Sequence, residues 1–338
     1  MAVTAIRRSG QARLLAGLLL LGLLQGCATA PQTQRVLDNR GGLPAHVELD
    51  KVPFFPQKRY QCGPASLAMV LTQAGHPTKP DTLKSEVYVP KREGSLRTEM
   101  RAAVRARGLV PYPLPGNMHA LLAELAAGQP VLVMQNLGLS WIPRWHYAVA
   151  VGYDLDDENV VLRSGTMRRR ITGMSTFERT WARSGHWAQV IVPPDRPPAL
   201  AEPLPWLRTV HELESTGDKK AARTGYRAAT RRWPQSRPAW MARGNAAYAA
   251  GDTDEARTAF EHAVRIDPHD ADGWNNLAYA LANTGRGTDA LTAARCAVAL
   301  APKDGGPRAT LRELENRALP QGMTKEKSEL PTCPARGQ

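Results

Sequence analysis

Gln61-Cys62-Gly63-Pro64-Ala65-Ser66-Leu67-Ala68-Met69-Val70 is the stretch on which the reading of this chain turns. Pro64 suits a first helical turn, and Leu67, Val70 and Leu71 supply an apolar face, so a helix is expected from Cys62 to Gln73. A thiol at the start of a helix lies at the positive end of its dipole, which favours the thiolate and makes it a candidate nucleophile. Gly63 beside it leaves room for a substrate backbone. The bland alternative is a buried structural cysteine at a helix start.

Downstream, Trp145-His146-Tyr147-Ala148-Val149-Ala150-Val151-Gly152-Tyr153 places His146 at the head of an apolar strand that ends in glycine. That phase separates His146 from His76, His119 and His186. Between the two motifs the pattern predicts helices around Asp81–Tyr88, Ser95–Arg107 and Asn117–Ala127, with strands at Leu109–Tyr112 and Pro130–Gln135. Strands at Tyr147–Tyr153, Val160–Arg163 and Arg168–Thr172 follow, then a short helix near Thr176–Arg183 and a last strand, Trp187–Val192. Helices first and a mostly antiparallel sheet afterwards make an α+β domain, bounded at 46–193. Pro193-Pro194 and Pro197-Pro198 mark a linker at 194–203.

Together Gln57, Gln61-Cys62-Gly63-Pro64 and His146-Tyr147 with Val151-Gly152-Tyr153 resemble the bacteriocin-processing, double-glycine family of papain-like cysteine peptidases. The resemblance implies Cys62 as nucleophile and His146 as general acid and base. It gives Gln57, five residues before Cys62, as side-chain donor of an oxyanion hole completed by the Cys62 backbone amide; Gln61 is the weaker candidate. The family orients its histidine with Asp or Asn after the next strand, and here Ser164 occupies that place. A hydroxyl orients an imidazole but carries no charge to stabilise imidazolium. Asp154, Asp156 and Asp157 read as solvated carboxylates of a hairpin turn. The implied substrate is a peptide or protein, with no cofactor and no metal. Two rival readings stay open: a non-catalytic lipoprotein that grips an extended peptide, and a cell-wall amidase.

Beyond the linker, Trp206, Trp240 and Trp274 recur every 34 residues. Ala222, Ala256 and Ala290, Pro234, Pro268 and Pro302, and Gly217, Gly251 and Gly285 keep the same period. Tyr226, Phe260 and Ala294 share one further position. The pattern resembles tetratricopeptide repeats, which implies three helical hairpins over 204–303, a groove for a protein partner, and a C-terminal helix with a disordered tail over 304–338.

At the other end, Arg7, Arg8 and Arg13 precede the apolar run Leu14–Leu24, a secretory signal too short to span a bilayer. Leu24-Gln25-Gly26-Cys27 resembles the lipobox of bacterial lipoproteins, which implies removal of residues 1–26 and lipidation of Cys27. Ala28 after it implies the outer membrane, with the protein facing the periplasm, and residues 27–45 read as a tether. The chain has 44 Lys and Arg against 31 Asp and Glu. That balance favours an acidic partner or an anionic membrane surface, and no aromatic-basic motif supports nucleic acid. Of the remaining thiols, Cys296 and Cys333 are free to pair in an oxidising compartment.

Overall fold

The computed structural model describes residues 30–317 and 330–334. Residues up to Met100 together with Pro113–Val190 form one compact unit, and Arg101–Tyr112 with residues from Ile191 onward form a second. The lipobox and Cys27 lie outside the described residues.

The elements of the first part run α1 (Pro31–Asp38), β1 (His46–Glu48), α2 (Cys62–Gln73), α3 (Pro80–Val87), β2 (Tyr88–Val89), β3 (Gly94–Ser95), α4 (Arg97–Arg105), β4 (Val110–Pro113) and α5 (Met118–Ala126). Then come β5 (Val131–Asn136), β6 (Trp145–Asp154), β7 (Asn159–Ser164), β8 (Met167–Gly173), α6 (Met174–Ala182) and β9 (Ala188–Val192). A seven-stranded sheet has the order β4-β9-β5-β6-β7-β8, with β1 beside β6, while β2 and β3 pair separately. The ladders β5–β6, β6–β7 and β7–β8 are antiparallel. The α+β reading therefore holds, and each expected element is present with ends shifted by a few residues.

Helix α2 is buried on every side from Gly63 to Leu71, not along one face, because α3 and strand β6 both pack on it. A helix apolar all round belongs in a core. The expectation that Gly63 faces substrate is corrected: a Cβ there would lie 2.3 Å from Ser95 Oγ and 2.5 Å from Ser95 Cβ. Its missing side chain admits β3. Gly63→Ala is accordingly expected to destabilise by about 1–3 kcal/mol through overpacking, read as a lower thermal midpoint. Ser95→Gly in the same chain should recover most of the loss, and an unchanged midpoint for Gly63→Ala would contradict the packing argument.

Gly152 is explained in the same way. The strand bulges between Ala150 and Gly152, Glu48 of β1 pairs with Gly152, and a Cβ at Gly152 would meet the Val47 carbonyl oxygen at 2.4 Å.

The stretch expected to be a tether instead contains helix α1, with Thr33 and Val36 buried. Its free N-terminal amides explain why it docks. The buried Glu178 carboxylate accepts the Gln32 and Thr33 N–H groups at 3.0 and 2.6 Å. The Gln32 carboxamide in turn accepts the Met118 N–H at 2.7 Å and donates to the Gly116 carbonyl. Composition alone read Pro, Gln and Asn as linker; the buried capping carboxylate lies over a hundred residues away.

In the second unit, α7 (Pro203–Ser215) with α8 (Lys219–Arg232), α9 (Arg237–Ala249) with α10 (Thr253–Ile266), and α11 (Ala271–Asn283) with α12 (Gly287–Leu300) form three hairpins, followed by α13 (Gly305–Asn316). Each conserved-phase residue has a physical task. Gly217, Gly251 and Gly285 have φ of +102, +77 and +78° in the turn between paired helices, a conformation glycine adopts without steric cost. Asp218 and Asp252, also 34 apart, cap α8 and α10 through their side chains. The indole N–H of Trp240 donates to Pro234 O, and that of Trp274 to Pro268 O, both at 2.8 Å. Ala222, Ala256 and Ala290 are fully buried where helices touch. Arg101–Tyr112 joins this unit because Arg101 and Arg105 both pair with Glu212, and the Tyr112 ring lies 6.2 Å from Trp206.

The expected disordered tail is corrected in part. Cys296 and Cys333 form a disulfide, and Leu330 and Cys333 pack against the core around Trp274.

Candidate active site

Cys62 is the first residue of α2, and Gln61 is its N-cap. The thiol is partly buried, and the backbone amides of Tyr147, Gly63 and Cys62 favour its thiolate form. Burial raises its pKa above the ordinary thiol value, outweighing those three amides, which act the other way. The helix start and its orphan amides are thus aimed at the sulfur as expected, but desolvation keeps the resting group a thiol.

Tyr147 joins the two motifs. Its N–H favours the Cys62 thiolate, and its carbonyl accepts the Ser66 hydroxyl at 3.1 Å and the Gln57 amide at 3.2 Å. Ser66 lies one helical turn after Cys62, on the same face. The carbonyl of one residue on β6 therefore holds the first turn of α2, and the residue immediately before it is His146.

His146 lies second in β6, opposite Gln135 of β5. Its Nε2 is 2.8 Å from Ser164 Oγ at the end of β7. That leaves Nδ1 as the ring nitrogen with no protein hydrogen-bond partner among the described residues. Burial first, then the charges of Arg170 and Arg144, lower the His146 pKa to about 4. The imidazole is neutral at physiological pH. Ser164, 2% exposed, occupies the orienting position and is uncharged.

Gln57 is in place beside these groups but is fully engaged. Its Oε1 accepts the Gly165 N–H at 3.0 Å, while its amide donates to Ser66 Oγ and Tyr147 O at 3.1 and 3.2 Å. It ties α2, β6 and the turn after Ser164 together, and donates to an oxyanion only after releasing one acceptor. The Gln61 carboxamide makes no hydrogen bond among the described residues.

Asp154, Asp156 and Asp157 sit in the β6–β7 turn as expected. Asp154 accepts the Asp156 and Asp157 amides and pairs with His46, and these bonds lower its pKa. None of these carboxylates hydrogen-bonds His146.

Three features escaped the sequence reading. The Tyr147 carbonyl that accepts from Ser66 and Gln57 is a main-chain group and leaves no signal in the side chain of Tyr147. Ser66 was readable, as a hydroxyl one turn after the thiol. Arg144 and Arg170 act on the imidazole through space, and only folding brings β8 near it.

Residues 49–189 match the family model described as Peptidase_C39 like family, and residues 207–271 and 241–305 match Tetratricopeptide repeat. Among solved structures, a C39-like peptidase from Bacillus anthracis is 21% identical, with a TM-score of 0.38, covering 44% of this chain and 98% of its own. The Arabidopsis OM64 tetratricopeptide domain is 15% identical, with a TM-score of 0.31, covering 32% of this chain and 91% of its own. The first such domain of Spaghetti (RPAP3), bound to an HSP90 peptide, is 14% identical, with a TM-score of 0.32, covering 33% and 90%. No curated protein matches the chain. The chain thus joins a region that matches the Peptidase_C39 like family model to helical hairpins that match the tetratricopeptide repeat model.

Proposed function

We propose that the first domain is a cysteine-type peptidase acting on exported peptides or proteins, and that the repeats recruit a protein partner. One observation carries this reading: Ser66, one turn after Cys62, and Gln57 both donate to the carbonyl of Tyr147, the residue after His146, while His146 Nε2 meets Ser164 Oγ. In the mechanism, Nδ1 of His146 takes the thiol proton, and Nε2–H faces Ser164, which fixes that tautomer. The sulfur attacks the scissile carbonyl, and the tetrahedral oxyanion is met by the Cys62 amide. The proton held by His146 passes to the leaving amine as the C–N bond breaks. Water, deprotonated by the same ring, then hydrolyses the thioester to a carboxylic acid and restores the thiol.

The lipobox-like Leu24-Gln25-Gly26-Cys27 supports lipid anchoring at Cys27 and a periplasm-facing outer-membrane location, and the Cys296–Cys333 disulfide suits an oxidising compartment. The non-catalytic reading draws on a specific observation as well: Cys62 and His146 are both neutral at rest, with no acid behind the ring.

The deciding measurement is product identification. The full chain is incubated with a proteome-derived peptide library and, separately, with muropeptides, and products are read by mass spectrometry. New peptide amino termini are expected. Cleaved muropeptides alone would move the assignment to the amidase, and no product from either to the binder.

A further inference from the structure

The segment between β5 and β6 leads straight into His146 and displays its apolar side chains outward. Trp141 is 76% exposed, Ile142 62%, Trp145 53% and Leu139 51%. These exposures belong to a built loop. Asn136, 1% exposed, accepts the Gly138 and Arg144 N–H groups at 3.0 and 2.8 Å and donates to Leu139 O. Leu137 N–H donates to Arg144 O, and Ile142 N–H to Leu139 O. A Cβ at Gly138 would lie 2.3 Å from the Ile142 carbonyl oxygen, so the loop closes only with glycine there. Presenting large apolar groups to water from an ordered loop disfavours the free protein, and such patches mark binding sites.

Arg144, at the end of this loop, is two residues before His146, and Arg170 of β8 lies opposite Leu162 of β7, the strand whose last residue, Ser164, bonds the ring; both charges lower the imidazole pKa. Neither guanidinium has a carboxylate partner among the described residues. On the same strand as Arg170, Arg169 is paired with Glu48 and Arg168 donates to Asp50 O. Two unpaired positive charges thus flank the imidazole on a site without an acid of its own.

We propose that residues 137–145, Arg144 among them, and Arg170 form a substrate-recognition wall beside His146, selecting peptides that carry a carboxylate beside the scissile bond and an apolar side chain against Trp141 and Trp145. This deepens the peptidase reading and rests on it for cleavage, but not for binding. Charge complementarity names the occupant: an acidic peptide offsets both guanidiniums, and a basic one meets like charge. A carboxylate in that place also offsets the field that depresses the His146 pKa, so the substrate supplies part of what Ser164 lacks.

The test uses labelled peptides alike except for Glu, Gln or Lys beside the cleaved bond. Binding to full-length Cys62→Ala is read by fluorescence polarisation, and cleavage by the unsubstituted chain is read by kcat/KM. Glu is expected to exceed Lys at least about tenfold in both, as charge-assisted pairing implies. That ratio should fall toward one in Arg144→Gln/Arg170→Gln, and Trp141→Ser should weaken all three peptides. Equal binding of the Glu, Gln and Lys peptides to Cys62→Ala overturns the proposal. Discriminating binding without cleavage sustains it and defeats the peptidase reading. Vesicles of phosphatidylglycerol and phosphatidylethanolamine form the other arm. If Trp141→Ser abolishes vesicle binding and leaves peptide binding intact, the loop is a membrane contact and the proposal fails.

Discussion

Cys62→Ala is expected to lower kcat/KM on a cleaved peptide by at least about three orders of magnitude, since removing a covalent nucleophile removes the reaction path and not one contact among several. The fold should survive. The side chain is only partly buried, Ala keeps the helix start, and Ser66 and Gln57 still bind the Tyr147 carbonyl. Initial rates on the peptides found by library screening, with a thermal melt of the same preparation, check both halves. A residual rate within tenfold of the unsubstituted chain would mean that hydrolysis does not pass through this sulfur. A large loss of rate together with a collapsed melt would call for Cys62→Ser, which keeps the shape of the site and should be equally inactive.

Ser164→Asp is expected to act in the opposite direction. With an imidazole pKa of about 4 and a thiol pKa above its ordinary value, the thiolate–imidazolium pair is a minute fraction of the resting population. Each unit by which the imidazole pKa rises increases that fraction tenfold. A carboxylate within hydrogen-bonding reach raises an imidazole pKa by about 1–3 units. The expected gain in Cys62 alkylation rate near neutral pH is therefore about ten- to a thousandfold.

The pH profile carries the sign. In the unsubstituted chain, alkylation climbs through the alkaline range as the buried thiol ionises. In Ser164→Asp a higher plateau should extend across neutral pH, where the ion pair is an enlarged and pH-independent share of the population, and fall away only as pH drops through the raised imidazole pKa. Ser164→Asn is the control: it orients the ring without charge and should stay within a few-fold of the native rate. Position 164 is 2% exposed, so a melt must accompany each variant. A folded Ser164→Asp that reacts no faster than Ser164→Asn would show that charge behind the ring is not what limits this thiol.

Much of this architecture could be read residue by residue because its causes are local or periodic. The 34-residue spacing of Trp240 and Trp274 with Pro234 and Pro268 reflects one indole-to-carbonyl bond repeated in successive hairpins. Gly217, Gly251 and Gly285 keep phase because each turn needs a positive φ. Cys62 at a helix start and His146 on an apolar strand were legible because a helix start and a strand have short-range signatures. Gly63 was misread because sequence shows a missing side chain without showing which neighbour fills the space. The helix at Pro31–Asp38 was missed because the carboxylate that caps it, Glu178, belongs to α6.

Sequence alone determined the two-part organisation and the repeat period, and marked Cys62, His146 and Ser164 as candidates for nucleophile, base and orienter. Tertiary structure decided the rest: that the Tyr147 carbonyl of β6 holds the helix bearing Cys62, that burial raises the Cys62 pKa and lowers that of His146, and that arginines of a loop and an edge strand lower it further. Those outcomes depend on distances through space and on exclusion of water, and neither quantity is encoded by proximity along the chain.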